Sequence, residues 1–100
     1  MRDPIILEQV KASLAELVRL SPGRAIEVRI PPYAAVQCGD GPTHTRGTPP
    51  NVIEMNADTW LELVHGEKSW ADALGEGLIN ASGARADLSA LLPLQNRISS

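Results

Sequence analysis

Phenylalanine is absent from this chain, and Trp60, Trp70 and Tyr33 are its only aromatic residues. Core volume must therefore come from aliphatic side chains. Cysteine is limited to Cys38, which excludes an internal disulfide, and the N-terminus lacks the basic-then-apolar pattern of a secretory signal, so a reducing cytoplasm is the expected location. No apolar run approaches the roughly 20 residues that a helix needs to cross a bilayer, and no integral membrane association is expected. Clustered charge of either sign is missing as well: nine basic against twelve acidic residues leave a net charge of -3. That balance argues against nucleic acid or an anionic membrane surface as a partner. Ile98, Ser99 and Ser100 do not form a peroxisomal signal. Internal repeats, low-complexity tracts and interdomain linkers are also lacking.

What is there reads as one domain over residues 1–100. A chain of this size buries roughly 65% of its unfolded surface, which allows one two-layer core and leaves little room for a large cavity. Asp3 can cap free amides and Pro4 at the first helical position gives up no hydrogen bond, so residues 1–23 are expected to hold a helix and its closing turn. Leu7, Val10, Leu14, Leu17 and Val18 form its apolar stripe, and Ser21, Pro22 and Gly23 end it. Ile26, Val28 and Ile30 alternate with Glu27 and Arg29, the pattern of a strand with one wet face. Pro31 and Pro32 mark an edge, bulge or corner before a second strand, Tyr33 to Cys38, in which Ala34, Val36 and Cys38 share a face. Thr43 to Pro50 is a polar loop, and Asn51 to Met55 a third strand.

Trp60 to Gly83 is the most informative stretch. Asn56 can cap a helix that places Ala57, Trp60, Leu61 and Val64 on one face, with Gly66 at its end. Ser69 followed by Asp72 is a capping-box variant opening a second helix, with Trp70, Ala73 and Leu74 on its apolar side and Gly77 after it. Leu78 to Ser82 suits a strand, closed by Gly83. Asp87 is expected to cap a short helix bearing Leu88, Leu91 and Leu92, ended by Pro93, and Gln95 to Ser100 to form a frayed tail. These elements predict an α+β fold: a small mixed or mainly antiparallel sheet of about four strands, covered by helices on one face.

The run Gly66, Ala73, Gly77, Gly83 is similar in spacing and placement to the sterol carrier protein type 2 family, above all to its small bacterial, actinobacterial members. The resemblance extends weakly from about Arg24 to Leu94. It implies the same layout and a non-enzymatic binding or transfer domain for a lipid or other apolar small molecule. It also implies a ligand lining that includes Trp60, Leu61, Val64, Trp70, Leu74 and Ile79. The residue pattern alone leaves these as core or as shared core and cavity wall, because both use the same residue types. An alternative keeps the fold without a tunnel, as an interaction or homodimerisation module accessory to a mycothiol-dependent isomerase-type enzyme.

Other candidate chemistry is sparse. His44 and Arg46 lie in the polar loop with three threonines, where a guanidinium can grip a carboxylate or phosphate, although such loops are commonly just solvated. Catalysis through His44 and Arg46 lacks a nucleophile, a carboxylate pair or a metal near them. Cys38, His44 and His65 show no paired ligand spacing, so neither a metal nor another cofactor is expected. Cys38 reads as a small buried hydrophobe and His65 as a helix C-terminal residue.

Overall fold

A computed structural model describes residues 3–41 and 51–94. The first element, α1 (Pro4–Leu20), starts as its sequence dictates: Asp3 Oδ1 accepts from the amides of Ile5 at 2.8 Å and Ile6 at 3.3 Å. Its inward face buries Val10, Ser13, Leu14 and Leu17, while Leu7 and Val18 at the stripe's edges are half-buried. The helix closes with the Ser21 amide donating to the Leu17 carbonyl at 2.9 Å. Gly23 then passes so close to the next loop that a Cβ there would overlap the Gly39 carbonyl, and its φ of +142° suits glycine.

Three strands follow: β1 (Ile26–Ile30), β2 (Ala34–Cys38) and β3 (Asn51–Glu54). Pro31 and Pro32 make the corner between β1 and β2, closed by the Tyr33 amide on the Ile30 carbonyl at 2.8 Å, and the Pro31–Pro32 bond is cis. With β4 (Asn80–Ser82) they form one sheet in the order β2-β1-β3-β4. β1 runs antiparallel to β2, with Val28 opposite Val36, and parallel to β3, with Val28 opposite Ile53. β3 pairs antiparallel with β4, placing Ile53 opposite Ala81. The sheet is therefore mixed.

Strand alternation separates its two faces. Ile26, Val28, Ile30, Cys38 and Ile53 are buried on one, beneath the helices. The other presents Glu27, Arg29, Gln37, Val52, Glu54, Asn80 and Ser82, and Arg29 Nε sits 2.8 Å from Glu27 Oε2. That hydrogen bond, then the carboxylate charge, holds the Arg29 guanidinium above its ordinary pKa. A face carrying such a pair belongs in water, so the only apolar face is the one α1 covers where it packs on β2 and against α2 (Ala57–His65).

The described segments correct three expected boundaries. The second strand starts at Ala34 rather than Tyr33, β3 ends at Glu54, and the last strand is Asn80–Ser82 rather than Leu78–Ser82. Met55 still donates from its amide to the Arg29 carbonyl at 3.2 Å, so the pairing outlasts the strand by one residue. The helix expected after Asp87 does not form. Asp87 Oδ1 takes the Ser89 amide at 2.8 Å in a local turn, and the Leu91 amide meets the Leu88 carbonyl at 2.9 Å. Too few residues lie between Asp87 and Pro93 to repay helix nucleation, and Leu88 and Leu94 both reach the core without one. The Leu92–Pro93 bond is cis. The expected tail at 95–100 lies outside the described residues.

Candidate functional site

Two tryptophans anchor the helix layer from different depths. Asn56 Oδ1 accepts the Thr59 amide at 2.8 Å, which starts α2 and aims Trp60 at α1. Trp60 has no exposed surface, and its Nε1 donates to Ser13 Oγ at 2.8 Å. The Ser13 hydroxyl in turn reaches the Gln9 carbonyl at 2.8 Å, so the indole's one polar atom is satisfied inside the core. Gly66, at a φ of +77°, ends α2 with its amide on the Leu63 carbonyl at 3.3 Å. Ser69 Oγ then accepts the Asp72 amide at 3.0 Å and starts α3 (Trp70–Gly75). Trp70 is 8% exposed, and Ala73 is fully buried.

The expected lining residues therefore occupy three environments. Trp60, Val64, Trp70 and Ile79 belong to the packed core. Leu61 is half-buried on the flank of α2. Leu74 is 46% exposed, which corrects its expected place on the apolar side of α3: Trp70 and Ala73 alone carry the contact of this short helix. A margin of half-buried aliphatics packs against the core from α2, the α3–β4 connection, β4 and the last described segment: Leu61, Leu78, Ala81, Ala86, Leu91 and Leu92. Sequence reading assigned Leu91 and Leu92 to a helix and Leu78 to a strand, and so missed their common role. The signal available was the leucine density between Leu88 and Leu94.

His44 and Arg46, with the loop Thr43 to Pro50, lie outside the described residues. On its C-terminal side Asn51, 4% exposed, makes a junction that sequence reading did not anticipate. Its Nδ2 donates to the Ala25 carbonyl at 2.8 Å and its Oδ1 accepts the Arg85 amide at 2.8 Å, while Arg85 Nη1 reaches the Asp40 carbonyl at 3.0 Å. This ties the chain after β4 to the start of β1. Both side-chain positions of Asn51 are used, which makes it a structural tie rather than a free binding group.

Reactive chemistry stays scarce on the described residues. Burial pushes the Cys38 thiol up to about 11, so almost none of it is thiolate at neutral pH. His65 is the exposed last residue of α2. Among the described residues no cluster of three His, Cys, Asp or Glu can hold a metal, and no helix is long and apolar enough to cross a membrane.

An α+β domain with one apolar, helix-covered sheet face and a half-buried aliphatic margin is the class these observations define. The chain matches the family described as bacterial SCP ortholog over residues 4–94 and belongs to it. That match accords with the spacing of Gly66, Ala73, Gly77 and Gly83, whose physical basis is now visible. All three glycines have positive φ where α2, α3 and β4 end, and Ala73 is fully buried at the contact of α3. Among solved structures the chain is similar to Sterol Carrier Protein 2 Like 2 from Aedes aegypti. The two are 15% identical, with a TM-score of 0.41, over 95% of this chain and 91% of that one. No curated protein matches.

Proposed function

We propose that this domain is a non-enzymatic carrier of an apolar small molecule, of the fatty-acyl or other lipid class, taken up on the helix-covered side of the sheet. Membership of the bacterial SCP ortholog family is the observation that carries the reading. The division of apolar residues supports it. The opposite face is polar, and Leu61, Leu78, Ala81, Leu91 and Leu92 are among the half-buried apolar side chains around the core that still meet water. A ligand covering them gains hydrophobic contact without displacing packed core. Trp60, Val64, Trp70 and Ile79 back this margin from inside, with Leu74 beyond its rim. His44 and Arg46 are proposed as the polar contact for an acidic headgroup. Carriage of this kind requires no nucleophile, metal or cofactor.

The test is titration of delipidated protein with a fluorescent long-chain fatty acid, read beside thermal unfolding. Saturable one-to-one binding is expected. A ligand held at 100 times its Kd should add about 2.7 kcal/mol of stability, and so raise the melting temperature by more than ten degrees in a domain this small. Leu61→Glu with Leu91→Glu should remove the binding while the fold persists. Absence of both binding and thermal shift across acyl chains of different length would overturn the reading.

A further inference from the structure

An aspartate can react with its own main chain when the next amide nitrogen attacks the side-chain carboxyl and closes a five-membered imide. The step needs an uncommitted carboxyl, an uncommitted amide and room for the ring. Five aspartates stand in the chain, and the structure decides among them. Asp3 precedes Pro4, whose nitrogen carries no hydrogen. The amides after Asp58 and Asp72 are taken, Thr59 donating to Asn56 Oδ1 at 2.8 Å and Ala73 to the Ser69 carbonyl at 3.0 Å. At Asp87 the carboxylate itself is held, by the Ser89 amide at 2.8 Å. Asp40 differs from all four. Among the described residues its carboxylate makes no ion pair or hydrogen bond, and the Gly41 amide has no acceptor.

Asp40 is exposed, and Gly41 brings no Cβ to crowd the ring. The backbone around the pair is nevertheless fixed. Gly39 donates from its amide to the Ser21 carbonyl at 2.8 Å and accepts the Ala25 amide at 3.1 Å. Arg85, anchored through its own amide on Asn51 Oδ1, donates from Nη1 to the Asp40 carbonyl at 3.0 Å. Its guanidinium fills the place that a Cβ on Gly41 would take, at a φ of +141°. Arg85 makes no ion pair among the described residues, so no carboxylate there draws its charge away from this peptide group. The oxygen it holds belongs to the same peptide bond as the attacking nitrogen. A cationic donor on that oxygen stabilises the negative charge that develops there as the nitrogen gives up its proton.

We propose that Asp40–Gly41 is a self-modification site, at which aspartate converts to isoaspartate with the assistance of the Arg85 guanidinium. The Gly41 nitrogen bonds to Asp40 Cγ and loses its proton, and one carboxylate oxygen leaves as water with that proton and one from solvent. Water then adds to the Asp40 main-chain carbonyl carbon. The bond from that carbon to the Gly41 nitrogen breaks, the nitrogen regains a proton, and the new carboxyl releases one to solvent. Water is the sole co-reactant. The main chain now runs through Cβ and Cγ, one carbon longer, and the former carbonyl is a carboxylate beside Arg85. A hydrogen bond to a neutral oxygen thereby becomes an ion pair, which favours ring opening in this direction over return to aspartate. The site is independent of the carrier reading, since neither Asp40 nor Arg85 belongs to the packed core or its aliphatic margin.

The experiment incubates the folded protein at neutral pH in water enriched in heavy oxygen and locates isoaspartate by peptide mapping with electron-transfer fragmentation. Heavy oxygen is expected in isoaspartate at residue 40, with none at Asp58, Asp72 or Asp87, and faster than in a synthetic peptide of residues 36–43, which lacks Arg85. Arg85→Gln should slow the conversion by about tenfold, the rate equivalent of one charge-assisted hydrogen bond made in the transition state. Asp40→Glu, which cannot close a five-membered ring, should abolish it. The proposal is overturned if the folded protein converts no faster than the peptide, if Arg85→Gln converts like the parent, or if the other aspartates convert as fast as Asp40.

Discussion

Where α1 and α2 meet the sheet, Val10, Leu14, Leu17, Val28, Trp60 and Leu63 are at most 1% exposed. From α3 to Leu94 the same residue types are handled otherwise: Leu78, Leu91 and Leu92 are half-buried and Leu74 is exposed, while Leu88 and Leu94 pin the segment to the core. Those six side chains have nothing left to gain from a further contact. The second has, because each half-covered leucine still holds water that a ligand or partner can displace. The two sets of apolar side chains thus differ in how much surface each still leaves to water.

Breaking the packed region should have the largest effect. Trp60→Ala leaves an indole-sized cavity and removes the Nε1 bond to Ser13, at a cost of about 3–5 kcal/mol. Against a total stability of about 5–15 kcal/mol, that should bring the domain close to unfolding in a urea titration. Asn51→Ala cuts the tie between the two regions. It leaves the Ala25 carbonyl and the Arg85 amide without their partner, so a loss of about 1–3 kcal/mol is expected, with faster amide exchange from residue 83 onward.

Cys38 probes the packed region without mutation. Its folded value, about 11, lies above the ordinary value of 9.0, so the thiol favours the fold while protonated. That contribution is complete below pH 9 and is lost as pH rises from 9 towards 11, because the unfolded chain gives up this proton first. Chemical denaturation midpoints should fall over that window, less so in Cys38→Ala. At pH 7 a thiol reagent should modify Cys38 only on unfolding.

Sharpening the comparison requires changes in the looser region. Ser69→Ala removes the cap of α3 and should cost about 1 kcal/mol, measured as a shift in urea midpoint. Leu74→Ser should change stability by less than about 0.5 kcal/mol, since this side chain is not packed. A Leu74→Ser loss as large as that of Ser69→Ala would erase the distinction between the two regions.

Much of this architecture is legible in residues whose instructions are local. Asp3, Asn56 and Ser69 each bond an amide two or three residues ahead, and such caps require no knowledge of the rest of the chain. Alternation in β1 identifies its buried face for the same reason. The segment after Asp87 was misread because its cap-like aspartate serves a turn equally well, and the choice was made by Leu88 and Leu94 reaching the core. The candidate lining was legible only as residue types. Trp60 in the core and Leu74 in water carry the same apolar signal in sequence, and depth is a property of neighbours supplied by other elements.

By itself, then, the sequence determined where α1, α2 and α3 begin, which face of β1 is apolar, and which glycines turn the chain, since φ/ψ preference, capping and periodicity act within a few residues. Only the tertiary structure decided that β1 lies between β2 and β3, that Trp60 bonds Ser13, and that Asn51 joins Ala25 to Arg85. It alone brought Lys68 to Glu76 and left Leu74 uncovered. Those outcomes depend on contacts between residues distant in the chain or on the fold of the turn between two helices, and no local preference encodes them.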